Sequence, residues 1–204
     1  MEEHKERYFR SFVKRREINS EYLVSTIREM EESIHGCYEE TINLNSDRFV
    51  KMILVDASFI LELFFRYSSR SWTSDYPIVV KPRANVVRLD LLLFENQLPF
   101  FVIEKLHLAF LSLSDYNGSL FKLSFHYFGH FNIQSIQAHP NVKIEHFTDL
   151  LRTFKLPPPE KQPKGHCQLI KHLYSATQLH EEGVKFGVGT SKNFFDIKFE
   201  EKGC

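Results

Sequence analysis

The sequence predicts a mainly α fold, a bundle-like single helical domain that closes with a short C-terminal β-hairpin. Three observations carry this. Apolar residues recur every three or four positions through most of the chain, the period of one helix face. The segment from Ser46 to Arg66 is apolar nearly all round, the pattern of a central helix. Near the end, Val184 to Val188 and Phe194 to Phe199 flank Gly189-Thr190-Ser191-Lys192, a strand–turn–strand pattern.

The elements follow in order. In residues 2–16, Tyr8, Phe9, Phe12 and Val13 fall at helical spacing, predicting a short amphipathic helix. Ser20 can cap a second helix, with Glu21 in its first turn. Leu23, Ile27, Met30, Ile34 and Tyr38 then line one face, and Glu29, Glu31, Glu32, Glu39 and Glu40 are its solvated side. Ser46-Asp47 starts the central helix, running to about Arg66. Glu62 and Arg66 within it, at i and i+4, read as a surface ion pair. Ser68 to Pro82 reads as a loop.

From Asn85 another apolar helix runs through Phe94 and breaks at Glu95-Asn96-Gln97-Leu98-Pro99. The residue before a proline is pushed out of helical geometry, and the proline can open a new helix. That helix continues through Phe100, Ile103, Leu106 and Leu108. Residues 114–141 are ambiguous. Ile144 to Phe154 is helical again, with Phe147, Leu150, Leu151 and Phe154 on one side. The domain reading is therefore a helical core at 1–156, a Pro-rich linker at 157–166, and a C-terminal helix plus hairpin at 167–204 packing on the core. Gly183 is placed to stop the last helix, read from Cys167 to Glu182.

Composition excludes several function classes. The 204 residues carry 26 Lys+Arg and 26 Asp+Glu, a net charge of zero, so nucleic acid is not an expected partner. Charged residues at 25% and hydrophobic ones at 43% fit a globular chain, which at this length buries roughly 70% of its unfolded surface without a disulfide or metal. The 20 phenylalanines must go mostly inside or onto a partner. Cys37, Cys167 and Cys204 form no Cys-x-x-Cys and fit a reducing compartment, and the charged N-terminus is no signal peptide; the expected location is the cytoplasm. Leu98 to Leu113, the best membrane-span candidate, is interrupted by Glu104, Lys105 and His107 and reads as a buried core helix.

The recognisable blocks surround the helix break. They are Lys51 to Leu63; Asp90-Leu91-Leu92-Leu93-Phe94-Glu95-Asn96-Gln97-Leu98-Pro99 with the residues to Ile103; His146 to Arg152; and Ser175 to Phe186. Together they resemble the plant domain-of-unknown-function family 247, also called uncharacterised protein family 0481, in the family's order and over most of the chain. The resemblance implies a mostly helical plant protein without established catalysis. Members usually end in a membrane-anchoring helix, and certain grass members are proposed as determinants of pollen–stigma self-incompatibility. By the same resemblance this chain is truncated at both ends, and membrane attachment is expected only through an anchor missing from it. The signature residues are Asp56, Glu62, Asp90, Glu95, Asn96, Gln97 and Pro99, read as structural.

The acids among them admit two readings. Asp56, Glu62, Asp90, Glu95 and Glu104 lie in apolar helices and could form an acid pair in a cleft. The plainer reading is that they accept hydrogen bonds from helix ends and basic side chains, with Glu95 or Asn96 capping free N–H groups at the start of the second helix. His126 and His130 have i, i+4 spacing but no intervening Glu, and His166, Cys167, His172 and His180 match no zinc pattern, so no metal is expected. There is no Gly-x-Ser-x-Gly, phosphate loop or dinucleotide fingerprint, and no cofactor is expected. Asn117-Gly118-Ser119 reads as a turn rather than a glycosylation site. Lys14-Arg15-Arg16 reads as a solvated helix end rather than a phosphate patch, and Phe121 to Phe131 as core rather than a partner surface. The expected function is a non-enzymatic recognition module with a protein partner of unknown identity. The alternative is a hydrolytic enzyme using the buried acids and a histidine.

Overall fold

A computed structural model describes residues 2–16, 18–39, 42–70, 81–93, 96–111, 118–137, 143–156 and 174–188. They form nine α-helices in chain order: α1 (Glu2–Arg16), α2 (Ser20–Arg28), α3 (Glu31–His35), α4 (Ser46–Ser69), α5 (Lys81–Asp90), α6 (Phe100–Leu111), α7 (Leu120–Tyr127), α8 (Phe147–Lys155) and α9 (Ala176–Glu181), with a 3-10 turn at Gly129–Phe131. The protein is mainly helical, with no strand among the described residues. The expected C-terminal hairpin is therefore not supported: residues 184–188 are irregular, and 189–204 lie outside the described residues. Within the described part of the first run, Val188 is fully exposed and Phe186 is 60% exposed. The linker at 157–166 also lies outside the described residues.

Helix α4 is the hub. Asn45 caps it by accepting the Arg48 N–H at 2.9 Å, and Arg70 ends it in the left-handed region at φ 53°. Between Phe49 and Arg66, all residues but Lys51, Met52 and Asp56 are buried. Helices α1, α2, α6 and α7 pack around it. One core runs from Tyr8 to Phe154, and Phe59, Ile60 and Phe100 are deep in it while Leu92 packs at its edge. The Phe121 to Phe131 stretch belongs to this core: Phe128 is buried, and Phe121, Phe125 and Phe131 pack partly against it.

Several boundaries differ from the periodicity. The predicted helix from Ser20 divides into α2 and α3, and Asn19 rather than Ser20 is the cap, accepting the Glu21 N–H at 2.8 Å. Glu29, Glu31 and Glu32 explain the division. Acids oppose the dipole at a helix C-terminus and favour it in a first turn, so a new helix opens at Glu31. Helix α5 begins four residues before Asn85 and stops at Asp90, where Leu92 and Leu93 turn back onto the Leu89 and Asp90 carbonyls. The ambiguous region holds α7, capped by Ser119, which accepts the Lys122 N–H. Helix α9 ends as expected at Gly183, φ 97°, where the Val184 N–H reaches the Leu179 carbonyl and that of Gly183 the His180 carbonyl. No residue of α9 is buried.

Candidate functional site

Glu62 is the focus of the charged groups. Its neighbours on α4 are apolar, and its side chain is fully buried. A carboxylate there is costly unless paired on both oxygens. Arg15 supplies a two-pronged bond, Nη2 to Oε1 at 2.7 Å and Nε to Oε2 at 2.9 Å. Arg66, one turn along α4, donates its Nε to Oε1 at 2.7 Å. The Arg66 guanidinium also lies 5.6 Å from the Tyr8 ring centre.

One expectation is corrected here. Glu62 and Arg66 are not a surface pair, because α1 covers that side of α4. Arg15 lies in the expected exposed helix end, but it stands three residues beyond Phe12 and seven beyond Tyr8 on α1, and from there its guanidinium reaches in to Glu62. The signal was present in the spacing, but a charge inside the basic run masked it.

The other acids diverge. Asp56 pairs with Lys5 of α1 at 2.7 Å, both side chains being partly exposed. Asp90 sits at the end of α5, and Glu104 is exposed on α6. Glu95 lies outside the described residues. The hydrogen-bond partners of Glu62 are arginines, and among the described residues no histidine bonds to any of these acids. His126 closes α7 while His130 lies in the following 3-10 turn, so they do not share one helix face. No group of three or more His, Cys, Asp or Glu gathers among the described residues.

The helix break forms a second polar centre. The Asn96 Nδ2 donates to the Asp90 carbonyl at 3.2 Å, and the Gln97 Nε2 to the Leu92 carbonyl at 3.0 Å. The Gln97 Oε1 accepts from Thr148 Oγ of α8 at 3.2 Å. Pro99 directly precedes α6, whose first N–H, from Phe100, reaches the Glu145 carbonyl at 2.7 Å. The expected capping thus runs the other way: the two side chains satisfy carbonyls at the end of α5, while a distant backbone carbonyl satisfies the start of α6. A side-chain amide carries both a donor and an acceptor, so Gln97 can bridge α5 to α8.

Two further buried groups escaped the sequence reading. Arg88 on α5 is 6% exposed, bonds Asn85 at 3.0 Å and lies 4.9 Å from the Tyr127 ring centre. Burial pushes the Tyr127 hydroxyl well above the usual tyrosine range, with Arg88 opposing the shift. His107 on α6 is 1% exposed and stacks against Phe65. Burial lowers its pKa to about 4, so its ring is neutral near pH 7. No helix among the described residues is long and apolar enough to cross a membrane.

The Glu62 centre thus joins α1 to α4, and the Gln97 centre joins the helix break to α8. The chain is 28% identical over 219 residues to the UPF0481 protein At3g47200 of Arabidopsis thaliana, covering 94% of this chain and 45% of that one. It is 31% identical over 83 residues to the putative UPF0481 protein At3g02645 of the same plant, covering 41% of this chain and 15% of that one. The chain therefore spans less than half the length of these curated relatives. No solved structure matches it. The model of the family DUF247, plant protein of unknown function, matches residues 1–204. With the whole of its length matched, the chain belongs to this plant family.

Proposed function

We propose that the chain is a non-enzymatic helical recognition module that binds a protein partner. The observation that carries this reading is the pairing of Glu62. Both of its oxygens are bonded to guanidiniums, so neither is offered to a substrate proton. General acid–base work needs two titrating groups and a reacting atom in one cleft. Asp56 is paired with Lys5 elsewhere on the scaffold, and Glu104 faces solvent. The outer side of α5 supports the same reading: Val86 and Leu89 are 62% and 55% exposed, with Leu93 beyond them at 44%. A role in self-incompatibility-type recognition follows from the family resemblance alone.

The deciding experiment pairs hydrolysis assays with partner binding on one preparation. Ester, phosphoester and peptide substrates are offered to the wild type and to Glu62→Gln, with melting temperatures measured alongside. The reading expects no turnover above buffer and saturable binding of a protein captured from plant tissue. Turnover that disappears in Glu62→Gln at an unchanged melting temperature would establish the hydrolytic alternative.

A further inference from the structure

Arg88 on α5 is a buried cation without a counter-charge: it is 6% exposed, and no carboxylate pairs with it among the described residues. Its Nη1 donates to the Oδ1 of Asn85 at 3.0 Å, and Asn85 is exposed, so the end of the guanidinium lies near the surface. Its Nε is buried and meets no acceptor. The guanidinium carbon lies 4.9 Å from the ring centre of Tyr127 and 5.5 Å from that of Tyr67. The Tyr127 hydroxyl is likewise buried without a hydrogen-bond partner among the described residues. We infer that Arg88 is the anchor for a single carboxylate, presented by an Asp or Glu side chain of the partner protein.

The first support is the shape of the unused edge. A guanidinium holds its Nε–H and one Nη2–H parallel along one side, which matches the two oxygens of a carboxylate. Arg15 uses that side, through Nε and Nη2, to grip Glu62 at 2.9 and 2.7 Å. In Arg88 the other corner is tied to Asn85, and the Nε–Nη2 side holds no partner among the described residues. The second is electrostatic cost. A cation taken out of water and left unpaired is costly. The faces of two tyrosine rings offset part of that cost, and a carboxylate would remove the rest. The third is charge matching. One cation complements a carboxylate of one negative charge better than a phosphate group of about −1.5 to −2. Asp90, two residues on, stands roughly 200° around the helix and does not neutralise it.

The carrier follows from what surrounds the charge. Val86 and Leu89, on either side of Arg88 along α5, are 62% and 55% exposed. A desolvated arginine beside a tyrosine, rimmed by apolar side chains, is the make-up of an interface hot spot. It suits an acidic side chain set among apolar residues. That the carrier is a protein rests on the recognition reading above, whereas the carboxylate chemistry does not depend on it.

The test follows the Arg88 Nε–H resonance of the whole chain by NMR, a readout that needs no variant to fold. The probes are acetate, inorganic phosphate, acetyl-Leu-Glu-Leu-amide and its Gln twin, at constant ionic strength with chloride as the reference. The Glu peptide is expected to move the resonance saturably and to bind at least tenfold tighter than the twin, roughly one charge-assisted contact's worth. Arg88→Lys keeps the charge and loses the planar edge, so it should bind the two peptides alike. A resonance unmoved by the Glu peptide, or equal binding of both peptides to the wild type, overturns the anchor. If the wild type still captures a plant protein in that case, recognition stands and only the carboxylate assignment falls. Discrimination between the peptides without any captured protein keeps the carboxylate site and removes the recognition reading. Acetate binding as tightly as the Glu peptide overturns the protein carrier in favour of a small free acid, and phosphate binding tighter than either overturns the carboxylate.

Discussion

The two sides of α4 join their neighbours by different means. Toward α1 the seam carries charge: Lys5 meets Asp56 at 2.7 Å, and Arg15 and Arg66 close on Glu62. Toward α7 and α8 it carries rings. Phe64 has its ring centre 4.9 Å from Tyr127, 6.1 Å from Phe128 and 5.6 Å from Phe147, and all four are buried. Rings supply large apolar area and tolerate a range of tilts. A buried carboxylate tolerates one arrangement, because any shift leaves it unpaired. Rings also meet on the α1 side, where Tyr8 lies 5.0 Å from Phe59, so there the charged cluster adds a fixed position to an apolar seam, whereas the α7 side relies on rings alone.

This contrast can be broken, and the largest effect belongs to the rings. Phe64→Ala should cost about 3–5 kcal/mol, since a fully packed ring leaves a cavity that its neighbours only partly fill. Urea denaturation of the purified chain reads this directly, and a loss below about 1 kcal/mol would mean that the aromatic side is not the stability source.

Glu62→Gln comes next, at about 2–3 kcal/mol, because two guanidiniums lose their counter-charge while Arg15 keeps partial access to water. The sharper test is specificity. Replacing Glu62, Arg15 and Arg66 together by Met should recover much of that loss while loosening α1, seen as faster amide exchange along residues 2–16. Recovery with α1 still firmly seated would show that the charge does not set its position.

The third effect is set by pH. His107 has a folded pKa of about 4, below its ordinary 6.5, so the unfolded chain binds its proton first. Its stabilising contribution is complete above pH 6.5 and is lost as pH falls toward 4. The loss reaches about 1–2 kcal/mol at pH 5. His107→Leu should flatten this slope between pH 6.5 and 4, and an unchanged slope assigns the acid sensitivity to other groups.

Asn96→Ala is the smallest, at about 1 kcal/mol, since its carbonyl partner at Asp90 lies near the surface. Partner binding should fall only in proportion to the unfolded fraction. A stable Asn96→Ala variant with binding abolished would move Asn96 from scaffold to recognition surface.

What could be read from the sequence follows the same division. Apolar period, together with Ser46-Asp47 and Pro99 as starts, located α4, α6 and α8 to within a few residues, because burial of one face is a local pattern. The ends of α5 and the split after Arg28 depended on capping bonds and acid placement, which periodicity does not register. The pairing of Arg15 with Glu62 joins residues far apart in the chain, and no local rule brings them together. Even so, an acid inside a helix that is apolar all round must find a cation, and Tyr8, Phe12 and Arg15 already mark one face. The amide of Gln97 reaches back to the Leu92 carbonyl and, through Thr148, across to α8, contacts that no spacing in the sequence announces.

The bond from the Phe100 amide to the Glu145 carbonyl gives this fold an internal reporter. As the first residue of α6, Phe100 has no acceptor within its own helix, so its amide is shielded only while the strand of chain entering α8 stays docked. Deuterium uptake at Phe100 therefore times the undocking of that segment, whereas amides deeper in α6 time the melting of the helix itself. Two clocks sit a few residues apart on one helix, and the gap between them measures how independently the C-terminal edge of the core opens.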